Sequence, residues 1–193
     1  MKLEMTVVQK LARVLKVLVT ITFVCNLIAL FMVPGLASLR GADDLMVLIS
    51  TPYESVKELL YRFWYFFLYS WQLVWEMGSY TAVLTVFLWA CGICTAIILW
   101  QARRVLDTVL NGETFSLKNA ANMKRAGICC LIISAAALTR LIWGFCYYKS
   151  IAPLLTYNAL FVPVFAMGFL LCMVMSALFR QAAELKEEND LTI

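Results

Sequence analysis

Leu59-Leu-Tyr-Arg-Phe-Trp-Tyr-Phe-Phe-Leu-Tyr-Ser-Trp-Gln-Leu-Val-Trp75 is the stretch whose placement decides the architecture. It is almost uncharged, interrupted only by Arg62, and carries Phe63, Trp64, Tyr65, Phe66, Phe67, Tyr69, Trp71 and Trp75. Counted as a membrane span, it makes five and reverses the sidedness of everything after it. Laid along the interface, it leaves four. Lys and Arg collect on the cytoplasmic side of a membrane, so their distribution separates the two topologies. With four spans and an inner N-terminus, eleven basic residues face the cytoplasm: Lys2, Lys10, Arg13, Lys16, Arg103, Arg104, Lys118, Lys124, Arg125, Arg180 and Lys186. Four face outward, namely Arg40, Lys57, Arg62 and Lys149. Five spans would send the cluster from Arg103 to Arg125 outside. Trp and Tyr also favour the headgroup level, which suits an outer helix lying on or dipping into the interface.

The rest of the chain agrees with a membrane fold. Of its 193 residues, 63% are hydrophobic and 15% charged, against roughly 45–50% and about 25% in soluble domains. A bilayer core takes roughly 20 apolar residues of helix. Val17 to Leu39, Met77 to Ala102 and Ser150 to Phe179 pass without a charge, and Ala126 to Tyr148 passes with Arg140 inside it. The first run is longer than the roughly 7–15 residues of a signal-peptide core, which favours an uncleaved anchor. The expected fold is therefore all-α, a polytopic four-transmembrane-helix bundle forming one domain. Its spans lie near 14–36, 79–102, 126–148 and 157–179, with an outer loop over 37–78, a basic cytoplasmic hairpin over 103–125 and a cytoplasmic tail over 180–193.

Few residues carry chemistry. Histidine is absent, which removes the commonest general base and metal ligand. Cys25, Cys91, Cys94, Cys129, Cys130 and Cys172 lie in apolar runs, where thiols pack as small hydrophobes, and Cys146 lies nearer a surface. The Cys91–Cys94 spacing falls in mid-span, where no helix terminus stabilises a thiolate. No metal, cofactor or catalytic residue is expected. Arg140, the one charge inside a span, is a functional candidate by position. It either snorkels outward, joins a structural ion pair, or lines an outer cavity with Glu76, Asp43, Asp44, Glu54 or Glu58. Asn26 in the first span and Pro163 in the last mark a polar path, a kink or a single interhelical bond. Small residues at spacing four, Gly168, Cys172 and Ser176, and again Ala126, Cys130 and Ser134, suit close contact between the last two spans or a homo-oligomer face.

In the hairpin, Asn111-Gly112 is a helix stop and Ser116 a cap for the next helix, with Phe115 placed as the outer half of a staple against Ala120. Ala182 to Ile193 is polar and acidic, with Glu184, Glu187, Glu188 and Asp190. A weak, salt-sensitive clasp between this tail and the basic hairpin is physically allowed.

Asn111-Gly-Glu-Thr-Phe115, with Asn119 and Asn122, and the ending Ala183-Glu-Leu-Lys-Glu-Glu-Asn-Asp-Leu-Thr-Ile193 resemble a bacterial family of uncharacterised four-helix integral membrane proteins. That family is classed as a domain of unknown function and includes the YoaS-like proteins. It often has Pro before the hairpin phenylalanine, where this chain has Thr114. The resemblance implies a Cro/C1-type helix-turn-helix regulator as a partner and draws attention to Phe115, Asn119, Asn122, Glu187, Asn189 and Asp190 as docking residues. The expected function is a non-enzymatic sensor or sequestering partner in the bacterial cytoplasmic membrane, with both termini inside and no direct contact with nucleic acid. The alternative is a small transporter, channel subunit or resistance factor that uses Arg140 and Asn26.

Overall fold

The computed structural model describes residues 7–37, 46–47, 50–76, 78–113 and 115–191. Among these there is no strand. The elements are α1 (Val7–Ala37), α2 (Val56–Glu76), α3 (Ser79–Leu110), α4 (Leu117–Tyr148), a 3-10 turn (Ala152–Leu155) and α5 (Tyr157–Leu191). Four helices are long and apolar enough to cross a membrane, within Gln9–Gly35, Ser79–Leu110, Leu117–Tyr148 and Tyr157–Asn189. The aromatic helix α2 is not one of them. Leu18, Ile28, Val86, Leu131, Leu170 and Val174 turn outward from these helices, as they do when lipid is the solvent and the polar backbone is satisfied inside each helix. The chain is a multi-pass α-helical membrane protein.

Backbone proximity divides the chain into two compact units, Met1–Asn26 with Ile93–Ile193, and Leu27–Gly92. The boundaries fall within α1 and within α3, so each of these helices contributes to both units.

In the Leu27–Gly92 unit, Pro34 lies inside the last turns of α1 and lacks the N–H that would bond the carbonyl four residues back. That carbonyl is Leu30's. The indole Nε1–H of Trp89 on α3 donates to it at 3.2 Å. Phe31 stacks on Phe67 with centroids 4.1 Å apart and on Trp64, while Trp71 stacks on Trp89 at 5.4 Å. A Cβ at Gly35 would collide with the Phe66 ring and Ser70 Oγ, so glycine is what lets α2 approach α1 there. The helix α2 buries Phe66, Ser70 and Val74 and exposes Tyr61, Trp64, Tyr65, Leu68, Tyr69 and Trp75, so an aromatic face is left on its outer side.

Arg62, the one basic residue of that aromatic stretch, bends back to Thr51 Oγ1 at 2.8 Å, the Pro52 carbonyl and the Glu58 carboxylate. Ser55-Val-Lys-Glu58 starts α2 in the manner of a capping box. Ser55 Oγ accepts from the Glu58 N–H, and Glu58 Oε2 accepts from the Glu54 N–H. That N–H first, and the Arg62 guanidinium second, hold the Glu58 carboxyl below its ordinary pKa.

In the other unit, α4 and α5 form an antiparallel seam whose register holds from end to end. Ser176 Oγ donates to the Ala120 carbonyl at 2.7 Å, a Cβ on Gly127 would lie 3.1 Å from Cys172 Cβ, and one on Gly168 would lie 3.6 Å from Cys130 Sγ. Ser134 Oγ donates to the Val162 carbonyl at 2.9 Å, and Gly144 faces Pro153. The small-residue stripe of the last span is thus covered by α4 of the same chain. On α4 Gly127 also lies in this contact, and Ala126 beside it is buried. The helix α5 continues through Pro163.

Replacing Trp89 by Phe strands the Leu30 carbonyl. The expected loss is about 1–3 kcal/mol, measured as a lower thermal transition in detergent, and Pro34→Ala, which returns an N–H to that carbonyl, recovers most of it. The folded-state pKa of Glu58 is depressed, so its contribution is present above the unfolded value near 4.5 and disappears as pH falls through the folded one. Glu58→Gln is accordingly expected to melt below the parent at pH 7, and the gap to narrow progressively as pH falls below 4.5.

Candidate functional site

The α3–α4 hairpin is closed by local chemistry. Gly112, at φ +80, occupies the left-handed position that ends α3. Its N–H bonds the Val109 carbonyl at 3.2 Å and the Glu113 N–H bonds the Thr108 carbonyl at 2.9 Å, the paired bonds of a Schellman stop. Ser116 then caps α4, its side chain accepting from the Asn119 N–H. Thr108 Oγ1 lies 2.7 Å from the Val105 carbonyl and 2.9 Å from the Asn119 side-chain amide. A hydroxyl has one proton to give, so both contacts are satisfied together when it donates to Val105 and accepts from the amide Nδ2. Lys16 on α1 pairs with Asp107 at 2.6 Å, both partly exposed.

The residues singled out from the sequence separate here. Phe115 is exposed, and its ring tilts against Phe179 of α5 at 6.4 Å. Asn119 and Asn122 are 0% and 2% exposed, which corrects the expectation that they present a docking surface. Both project from the face of α4 turned into the bundle. Glu187 and Asn189 are exposed on α5. The side chain of Asp190, and Thr114, lie outside the described residues.

The expected tail is no separate segment. The helix α5 runs to Leu191, and Arg180 bonds Glu184 one turn on at 2.8 Å. This continuity argues against a clasp onto the hairpin. With Ala120 level with Ser176, Lys124 and Arg125 lie level with residues near 172, so Glu187 is about 15 residues, or roughly 22 Å, further along the axis.

At the other end of the seam, Arg140 Nη1 donates to Asn158 Oδ1 of α5 at 2.9 Å. Sequence reasoning passed over Asn158, although it is the second residue of α5 and a polar side chain in an apolar run. Glu58 is engaged by Arg62, and Glu76 accepts from Gln72. Asp43 and Asp44 lie outside the described residues. Asn26 Oδ1 is buried without a protein partner.

The seven cysteines are free thiols. Cys94 touches Cys129 across α3 and α4, and Cys130 touches Cys172 across α4 and α5. Among the described residues no group of three or more His, Cys, Asp or Glu is placed to hold a metal ion.

These features define an all-α, multi-pass membrane protein with a capped helical hairpin and one helix extended past it. Residues 50–193, which include both segments that carried the resemblance, match the family described as "Protein of unknown function (DUF2975)". The chain belongs to that family. No curated protein and no solved structure matches it.

Ser116→Ala removes the cap of α4 and is expected to cost about 1 kcal/mol. Gly112→Ala forces a side chain into the left-handed region at roughly 1–2 kcal/mol. Thermal unfolding in detergent reads both, and additive losses are not expected because the two residues close one turn.

Proposed function

We propose that the protein is a non-enzymatic docking partner for a cytoplasmic transcriptional regulator, held in the bacterial inner membrane with both termini in the cytoplasm. The observation that carries this reading is the continuity of α5. One helix runs from the Arg140–Asn158 contact, along the whole α4 seam and past the exposed Glu184, Glu187 and Glu188, to Leu191. Such a helix links the two ends of the seam directly, which supports a sensing or anchoring role. The docking face comprises Phe115 and the α5 extension with Glu187, Asn189 and Asp190. The inward orientation of this end is supported by the excess of Lys and Arg around the hairpin. The partner class, a small helix-turn-helix regulator, is what the family resemblance implies. A non-enzymatic role is supported by the absence of histidine and by four apolar runs without Asp, Glu or Lys, which leaves no acid–base pair inside the membrane.

The transporter alternative would need Arg140 to exchange its Asn158 contact for a solute. An unchanged solute flux in vesicles carrying Arg140→Ala would remove it.

The direct test is capture. Full-length protein in detergent is expected to enrich a helix-turn-helix protein from the host lysate, and a chain lacking residues 182–193 to recover at least about tenfold less, the equivalent of about 1.4 kcal/mol of binding. Recovery of no such protein, or equal recovery by both chains, would overturn the proposal.

A further inference from the structure

Two contacts fix how α3 and α4 face each other: Cys94 with Cys129, and Thr108 with Asn119. On α3, Gln101 lies seven residues from Cys94 and seven from Thr108, two turns each way, and so belongs to the same stripe. On α4, the buried residues between Asn119 and Cys129 include Asn122 and Ala126, at the three-and-four spacing of one inward face. Interpolating between the two contacts sets Gln101 about level with residue 124, roughly 3 Å along the axis from Asn122. Both side chains are buried, Gln101 at 7% and Asn122 at 2% exposure.

Each also has one polar atom without a protein partner. These atoms are Gln101 Oε1 and Asn122 Nδ2. One is an acceptor and the other a donor, so chemically they complement each other. They do not bond each other. Side chains tilt toward the N-terminus of their own helix, and in an antiparallel pair this leans Gln101 away from the hairpin turn and Asn122 toward it. Buried amides left unpaired are costly, and interiors settle such pairs with ordered water that makes two to four bonds. A water molecule accepts from Nδ2–H and donates to Oε1, and because it does both it serves either orientation of each amide. Two neutral amides beside Val105 and Ala126, which are apolar and buried, offer far fewer oxygens than a hard cation takes.

We infer that Gln101 and Asn122 form a buried site for a single bridging water between α3 and α4, at the base of the hairpin where the apolar runs end. The site locks the register of the two helices through a hydrated amide pair, and it is independent of the docking function proposed above.

Magnetic resonance of the full-length protein in nanodiscs, with side-chain amides of Asn and Gln labelled with nitrogen-15, tests the water directly. The Asn122 Nδ2 protons are expected to give a cross-peak to a held water molecule. Gln101→Met and Asn122→Leu, alone and together, test the coupling. Each single change strands the other amide and lowers the thermal transition, and the double variant returns most of that loss. Losses that simply add overturn the inference. Coupling without the water cross-peak also overturns it, because that pattern belongs to a direct amide–amide bond. The cross-peak is read on the unaltered chain, so a variant that fails to fold leaves the test intact.

Discussion

A bilayer offers no water to the backbone, and the rest of this structure follows from that one fact. In water, the Leu30 carbonyl freed by Pro34 would be hydrated at little cost. In hydrocarbon the group must find a donor within the protein, and it finds the indole of Trp89 from another helix. Proline in α1 and tryptophan in α3 are therefore one feature. The aromatic packing of Phe31, Phe67, Trp64 and Trp71 gathers around the same crossing and supplies the dispersion contact that the hydrophobic effect no longer provides between helices already immersed in lipid.

The α4–α5 seam meets the same constraint differently. With no hydrophobic drive to join them, two helices gain by approaching closely, and Gly127, Cys130, Gly168 and Cys172 keep the interface thin enough. Close approach then lets short hydroxyls reach across. Ser134 and Ser176 each donate to a carbonyl of the opposite helix, which pins the register at two levels. Arg140 and Asn158 add a third tie toward the far end. Arginine in a span is costly when it faces lipid. Here it serves as a cross-link to Asn158.

What the sequence made legible was whatever depends on local chemistry. Span number followed from the length of apolar runs together with the distribution of Lys and Arg, and the hairpin turn from Asn111-Gly112 and Ser116, because stops and caps act within a few residues. Which way a residue faces was not legible. Asn119 and Asn122 sit where a cytoplasmic surface was expected, yet their direction is set by how α4 rotates against α3, and no single helix carries that information. The same holds for Gln101. The helical course of the tail was not read in advance, although it too depends on local chemistry. Gln181, Ala182, Ala183 and Leu185 are strong helix formers, and the Arg180–Glu184 pair carries the helix outward. Ser55-Val-Lys-Glu58 was also readable in advance as a capping box, because its bonds lie within one turn.

The length of α5 ties these points together. From Tyr157 to Phe179 the helix is apolar, and at 1.5 Å per residue it spans about 34 Å, close to the roughly 30 Å of a hydrocarbon core. Charge begins at Arg180, where that thickness ends. The remaining residues to Leu191 add about 18 Å of helix, beyond the level at which α4 begins. Because the helix continues past α4 instead of turning back onto the hairpin beside it, its acidic residues are delivered to whatever lies outside the membrane. The seam that makes α5 rigid within the bilayer is therefore also what presents its end.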